Sequence, residues 1–383
     1  MRIGLVAAEP SGDQLAAGLM KGIARLRPDV RFEGIGGEAM TAAGLESWAP
    51  MDRLSVMGLV EVLGRLPELL RLRRDLARRW GRNPPDLFIG VDAPDFNLKL
   101  ETLLRQQGVP TVHYVCPTVW AWRPKRVEKI RRAADLVLSI FPFEKDFLDR
   151  HAVPSAYVGH PMAADYPLQP DRAAARQGLG LKADAPVLAL LPGSRRGEVK
   201  RLAPPFLEAA RLCAESLPGL RVVTPLATEA TRDDFRRACE GHGRGLDITL
   251  VRNDTRQALE AADVVLVASG TATLEAMLCK RPMVVGYRLN PLTHGIIRGL
   301  NMLNIEHVSM ANLLSREPMA TELLQGRCTA ENLADEVLGL FHDPAQRARI
   351  EAAYQQAHES LIMDTNDLAA RAVLELQGKE RHE

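Results

Sequence analysis

Several absences narrow the choice before any motif is considered. The five cysteines, at 116, 213, 239, 279 and 328, are odd in number and scattered, with no CxxC pair. That argues against a disulfide framework or a structural zinc and fits a reducing cytosol. No apolar run approaches the ~18 residues of a membrane span. The opening run, residues 3–8, is too short for a signal-peptide core and meets Glu9 and Pro10 at once, so a cytoplasmic location is expected. Net charge is only +1, which favours neither nucleic acid nor an acidic partner. The first loop, residues 8–13, has neither the glycine spacing of a dinucleotide fold nor that of a P-loop.

What remains is a globular composition, 46% hydrophobic and 25% charged over 383 residues, enough for two or three domains. Buried-strand runs at 3–8, 30–35, 87–91, 111–115, 136–139 and 156–158 alternate with amphipathic stretches. The pattern lapses between 159 and 184, then restarts with strands at 187–191, 221–224, 248–251, 264–268 and 283–287. Such alternation predicts α/β architecture: two Rossmann-like parallel-sheet domains, 1–165 and 185–345, facing across a cleft, with C-terminal helices at 346–383 packing back on the first domain. Ligands of such sheets bind beyond the carboxyl ends of the strands.

Candidate chemistry collects at those ends. After the run 264–268 come Ser269, Gly270 and Thr271, then helical spacing with Glu275 one turn inside. Strand, small-residue turn and helix aim unpaired N–H groups at one point, suited to a nucleotide diphosphate with Glu275 on the ribose. An ordinary β–α joint with an early Glu complementing the helix dipole fits equally. Gly193-Ser194-Arg195 after 187–191 suits phosphate oxygens, mainly through Arg195. Asp92, at the tip of 87–91, is a candidate general base, whereas Asp95 reads as a helix cap. The two acids resemble half of a metal site, but no nearby His or third carboxylate completes it. In the first loop Ser11 and Asp13 read as caps or ligand contacts, Gly12 allows close backbone approach, and Glu9 reads as a ligand contact. The stretch 113–126 joins His113, Trp120 and Trp122 to Arg123, Lys125 and Arg126, able to stack and pair with a base, a sugar or an anionic headgroup, or else to form a packed aromatic corner with a solvated helix start. Cys116 in that stretch has no partner that would make it a nucleophile.

The stretch 56–82 differs in kind. Leu59, Val62, Leu63, Leu66, Leu69 and Leu70 form a helical stripe, and residues 65–82 hold seven arginines against Glu68 and Asp75. This reads as a membrane-surface helix or as a helix on the sheet with a solvated basic face.

Taken in order, Glu9-Pro-Ser-Gly-Asp13, Val56-Met-Gly-Leu-Val-Glu-Val-Leu63, Val91-Asp-Ala-Pro-Asp-Phe96, the run from His113 to Trp122, Leu191-Pro-Gly-Ser-Arg195, Ala268-Ser-Gly-Thr-Ala272 with Glu275, and Val284-Val-Gly-Tyr-Arg288 resemble the lipid-A-disaccharide synthase family. Ala8 and Cys116 are small-for-small departures from its pattern. The resemblance implies an inverting glycosyltransferase of the GT-B fold, with UDP-2,3-diacylglucosamine as donor and 2,3-diacylglucosamine 1-phosphate as acceptor. It implies an acceptor-side, membrane-facing first domain and a donor-side second domain. Asp92 would be the base; Arg195 and the 269–271 turn would hold the diphosphate. Glu9 and Asn312 fall at positions the family needs. Arginine and helix N-termini would manage leaving-group charge without a metal or cofactor. The partners implied are the two substrates and the cytoplasmic face of the inner membrane, without nucleic acid; a homodimer is compatible with the sequence. From the residues alone, a UDP-sugar epimerase, a nicotinamide dehydrogenase and a non-catalytic membrane-binding protein share parts of this pattern.

Overall fold

The computed structural model describes residues 1–54, 59–120, 126–226, 228–289 and 307–380, with backbone only at 59–64 and 379–380. The chain divides into two units, one from Met1–Met162 and Ile362–Glu383, the other from Ala163–Asn301 and Ile305–Leu361.

The first unit holds a seven-stranded parallel sheet: β1 (Arg2–Ala7), β2 (Arg31–Ile35), β3 (Leu45–Ser47), β4 (Leu87–Val91), β5 (Thr111–Tyr114), β6 (Leu136–Ser139) and β7 (Ser155–Tyr157). Their order is β3-β2-β1-β4-β5-β6-β7. The second holds six: β8 (Val187–Leu191), β9 (Arg221–Leu226), β10 (Asp247–Arg252), β11 (Val264–Ala268), β12 (Met283–Tyr287) and β13 (Thr321–Leu324), in the order β10-β9-β8-β11-β12-β13. Central strands β4, β8 and β11 are buried along their whole length, as helices on both faces of a parallel sheet require.

Helices take their positions from sequence features that can be named. Pro10 opens α1 (Pro10–Leu26), where a missing N–H costs nothing. Within α2 (Leu59–Arg82), Leu72, Leu76 and Trp80 recur every four residues and enter the core, where Trp80 meets Phe88 edge-on at 5.1 Å. Burial of each such side chain contributes about 1.5–3 kcal/mol. The described inward face runs from Leu69, a member of the expected stripe, through Leu72 and Leu76 to Trp80, whereas Leu66 of that stripe is 41% exposed. The side chains of Leu59, Val62 and Leu63 lie outside the described residues. Two shorter helices of this unit, α3 (Pro94–Arg105) and α4 (Val127–Ala133), follow β4 and precede β6. In the second unit α5 (Arg196–Ser216) follows β8 and α6 (Thr271–Leu278) follows β11.

The C-terminal helices separate. α7 (Pro344–Leu361) belongs to the second unit, where its buried His358 ring meets the Lys280 ammonium at 2.7 Å. Burial pushes that ammonium down to about 8. Only α8 (Thr365–Glu380) packs on the first unit, against α1. Gly18 and Gly22 of α1 let Asn366 and Ala370 approach, and Arg25 pairs with Asp367 at 2.6 Å. The 346–383 segment is divided after Leu361, with α7 and its buried Ile350, Tyr354 and Leu361 assigned to the second unit and Ile362–Glu383 to the first. The expected crossover at 159–184 carries two short helices, Pro161–Asp165 and Arg172–Gly178.

Candidate active site

In an open parallel sheet the crevice forms where strand order reverses. In the second unit that point lies between the neighbours β8 and β11. The loop after β8 carries Gly193, Ser194 and Arg195, and the loop after β11 carries Ser269, Gly270 and Thr271. Both loops line one cavity of about 320 Å³, with Glu275 and Tyr287.

Gly270 stands at the N-cap of α6 with φ +145°, a conformation that L side chains rarely adopt. A Cβ there would meet nothing within 4 Å, so the backbone, and not crowding, demands glycine. The bare face leaves the first N–H groups of α6 open to a ligand. The Ser269 hydroxyl is already committed, donating to the Val308 carbonyl at 2.8 Å. With that proton spent, what Ser269 can donate to a phosphate oxygen is its main-chain N–H. Thr271 is exposed. Thr273 ties the same turn to a second loop, donating to the Gly270 carbonyl at 2.8 Å and accepting from the Met310 N–H at 3.0 Å.

Asn312 does not face the cavity. Its amide nitrogen donates to the Ala320 carbonyl and to Glu322, each at 2.9 Å, while its oxygen accepts from the N–H groups of Met319 and Ala320. Glu322 also accepts from the Val308 and Ser309 N–H groups. With its side-chain hydrogen bonds spent on residues 319–322, Asn312 orients Glu322, which in turn holds residues 308 and 309.

The Arg195 side chain is 71% exposed beside the cavity, its nearest acid Glu198 at 3.8 Å, and Ser194 is exposed next to it. Glu275 accepts the Tyr166 hydroxyl at 2.9 Å. Burial raises the Glu275 pKa, and that hydrogen bond opposes the rise. Tyr166 escaped the sequence reading because it lies 109 residues from Glu275, with no spacing to betray it.

The first unit reverses its order between β1 and β4, whose ends Ala7 and Val91 are in register. The loops with Glu9, Ser11 and Gly12 and with Asp92 thus emerge side by side. A Cβ on Gly12 would lie 3.6 Å from Val91 Cγ1, so the start of α1 packs close to the end of β4. Glu9 and Ser11 are exposed, and Glu9 makes no capping hydrogen bond. Asp13 turns away and caps the short helix Glu38–Ala42, accepting from Gly37, Ala39 and Met40 at 2.8, 2.9 and 3.1 Å.

Asp92 and Ala93 both adopt left-handed backbone, at φ +50° and +44°. Such conformations cost about 1–3 kcal/mol each and persist only when neighbours impose them. Here the Asp92 N–H donates to the Tyr114 carbonyl at 2.8 Å, and Asn97 Nδ2 donates to the Asp92 carbonyl at 2.8 Å. The Asp92 carboxylate, half-buried, makes no hydrogen bond or ion pair with any described residue. Ala93 occupies the N-cap of α3, so Asp95, expected as the cap, is instead an exposed acid in the first turn.

His113 is drawn inward. It is fully buried in β5, with Nδ1 2.7 Å from Glu101, whose pKa burial raises. It is a core residue of β5, paired in register with Gly90 of β4, and not the exposed ring that stacking on a ligand called for. Trp120 is half-buried, edge-on to Phe143 at 4.8 Å. Cys116 is buried and its thiol pushed far above the usual range, unlike a nucleophile. Trp122, Arg123 and Lys125 lie outside the described residues.

Comparison with known proteins decides among the classes this geometry allows. A family model described as lipid-A-disaccharide synthetase matches residues 3–375. The chain belongs to the lipid-A-disaccharide synthetase family. One relative, the lipid-A-disaccharide synthase of Pseudomonas entomophila (strain L48), is 51% identical over 374 residues, covering 98% of each chain. Among solved structures, a glycosyltransferase from Rickettsia africae ESF-5 aligns with TM-score 0.60 at 12% identity, over 99% of this chain and 97% of that one. A UDP-GlcNAc 2-epimerase from Neisseria meningitidis bound to UDP-GlcNAc aligns with TM-score 0.62 at 11% identity, over 99% and 100%. Those likenesses give the fold; the family gives the chemistry. The chain is a glycosyltransferase with the two parallel α/β units of the GT-B fold.

Proposed function

We propose that the chain transfers the sugar of UDP-2,3-diacylglucosamine to the 6-hydroxyl of 2,3-diacylglucosamine 1-phosphate, giving the β-1,6-linked disaccharide 1-phosphate and UDP. Asp92 takes the proton from the acceptor hydroxyl. The freed oxygen forms a bond to the anomeric carbon from the face opposite the diphosphate. The bond to the diphosphate breaks, its electron pair leaving on UDP, and the configuration inverts. Arg195 and the N–H groups around Gly270 and Thr271 stabilise the departing charge, an electrostatic contribution of several kcal/mol in such sites. Glu275, held by Tyr166, accepts hydrogen bonds from the ribose. Glu9 stands beside Asp92 as a second acceptor-side carboxylate.

The observation that carries this reading is Asp92: a carboxylate free of described partners, fixed in a strained loop at the switch point of one sheet. Support for the donor side comes from the bare Gly270 turn and the exposed Arg195 side chain, held among the described residues only by a 3.8 Å ion pair with Glu198. The acylated substrates and the arginine-rich face of α2 support work at the cytoplasmic face of the inner membrane. No described helix is long and apolar enough to cross a membrane. Calorimetric titration of UDP tests the division of labour. Arg195→Ala weakens UDP binding by about tenfold or more, whereas Asp92→Ala leaves it unchanged. Equal weakening in both variants would reject the assignment.

A further inference from the structure

The first unit has another concavity, of about 710 Å³, that the reaction as described leaves unused. It lies between α3, the turn Thr118–Trp120 and α4. Pro94, Leu98, Pro117 and Val119 line it with buried or half-buried apolar surface. Lys99, Arg126, Lys129 and Arg132 surround it with exposed cations, and Asp95 is the one acid among the described lining residues. Arg132 is engaged by Glu128 at 2.9 Å. Lys99, Arg126 and Lys129 pair with no described acid.

Its location ties it to Asp92. Pro94, two residues after Asp92, begins α3 and forms part of the wall. The opposite wall, Pro117 to Val119, follows β5, the strand paired with β4. The concavity therefore begins at the carboxyl ends of β4 and β5, where Asp92 sits.

Its lining selects among anionic ligands. Among the described residues the lining carries no aromatic ring for a nucleobase to stack on. Apolar walls with three uncommitted cations suit a molecule that is both acylated and phosphorylated. Volumes of this order are typical of small-ligand sites. We infer that this concavity binds the acceptor, its terminal phosphate monoester among Lys99, Arg126 and Lys129 and acyl chain along Leu98 and Val119, which turns the hydroxyl at the other end of the sugar toward Asp92. This inference rests on Asp92 being the acceptor-side base.

The test compares wild type with the double variant Arg126→Ala/Lys129→Ala in neutral detergent micelles, using the acceptor with and without its 1-phosphate. Both substituted residues are exposed, and the melting temperature verifies folding. The expected result is a fall of about tenfold or more in kcat/KM for the phosphorylated acceptor, with donor KM within about twofold of wild type. Removing the phosphate from the acceptor then costs wild type the same factor and costs the variant almost nothing. Independent, multiplying losses would overturn the inference. So would a defect seen only on anionic vesicles, which would assign the cations to bulk lipid headgroups. Wild type that fails to turn over the phosphorylated acceptor would instead remove the glycosyl-transfer reading beneath it, an outcome distinct from the other two.

Discussion

Replacing Asn97 by alanine should separate folding from catalysis in a measurable way. Asn97 is fully buried, and its Nδ2 donates to the carbonyls of Asp92, Val91 and Val6 at 2.8, 3.2 and 3.3 Å. Loss of the amide leaves these carbonyls short of a donor. Only the first contact is short, so the cost is that of one good hydrogen bond with an unsatisfied partner, about 1–3 kcal/mol. The left-handed pair Asp92–Ala93 then loses its brace and relaxes toward ordinary backbone, carrying the carboxylate with it. A displacement of about 1 Å at a reacting group is worth on the order of a hundredfold in rate. Denaturant titration and initial-rate kinetics should therefore show about 2 kcal/mol less stability and a kcat lower by roughly a hundredfold, with donor KM unchanged. Asn97→Asp should be worse than alanine, since it sets an acceptor against three carbonyls. A destabilised Asn97→Ala enzyme with wild-type kcat would refute the reasoning, as would an aspartate variant equal to wild type.

Gly270→Ala, at φ +145°, should cost about 1–3 kcal/mol of stability and weaken UDP binding at least tenfold by calorimetry; wild-type affinity would show that the turn does not hold the diphosphate. Gly22→Leu should lower stability by about 1–3 kcal/mol, because even its Cβ would lie 3.1 Å from Ala370 Cβ, yet leave UDP affinity intact. Burial raises the Glu275 pKa, so on acidification from neutral pH its carboxylate is protonated earlier than an exposed glutamate would be. UDP affinity should accordingly fall with pH in wild type and stay flatter in Glu275→Gln. Parallel profiles would remove Glu275 from the ribose.

The sheets were legible because each central strand is an uninterrupted apolar run: 187–191 and 264–268 coincide with β8 and β11 to the residue. The missed strands, β3 and β13, are edge strands of three and four residues with mostly exposed or half-buried side chains, so hydrophobicity leaves no mark there. The same limit shaped the site. Asp92, Gly270 and Arg195 drew notice because they follow buried runs at the strand ends where ligands of such sheets gather. His113 and Asn312 stand in equally suggestive stretches, but which way a polar side chain turns depends on partners such as Glu101 and Glu322, fixed only by packing. Asn97 lay in the same run as Asp92, and a buried amide three residues inside a helix is the signal that its role offered. In α2 the arginines advertised a surface, yet the apolar face entering the core continues from Leu69 of the expected stripe to Leu72, Leu76 and Trp80, which the sequence reading did not include.

The assignment of Asp92 as the base is tested most directly by disaccharide formation and UDP release from the two diacylated substrates in detergent micelles, wild type against Asp92→Ala, with UDP affinity measured on the same preparations. The account predicts turnover by wild type and a loss of about a hundredfold to ten-thousandfold in the variant, with UDP affinity unchanged. Disaccharide formed by Asp92→Ala at a rate within a few-fold of wild type would contradict it.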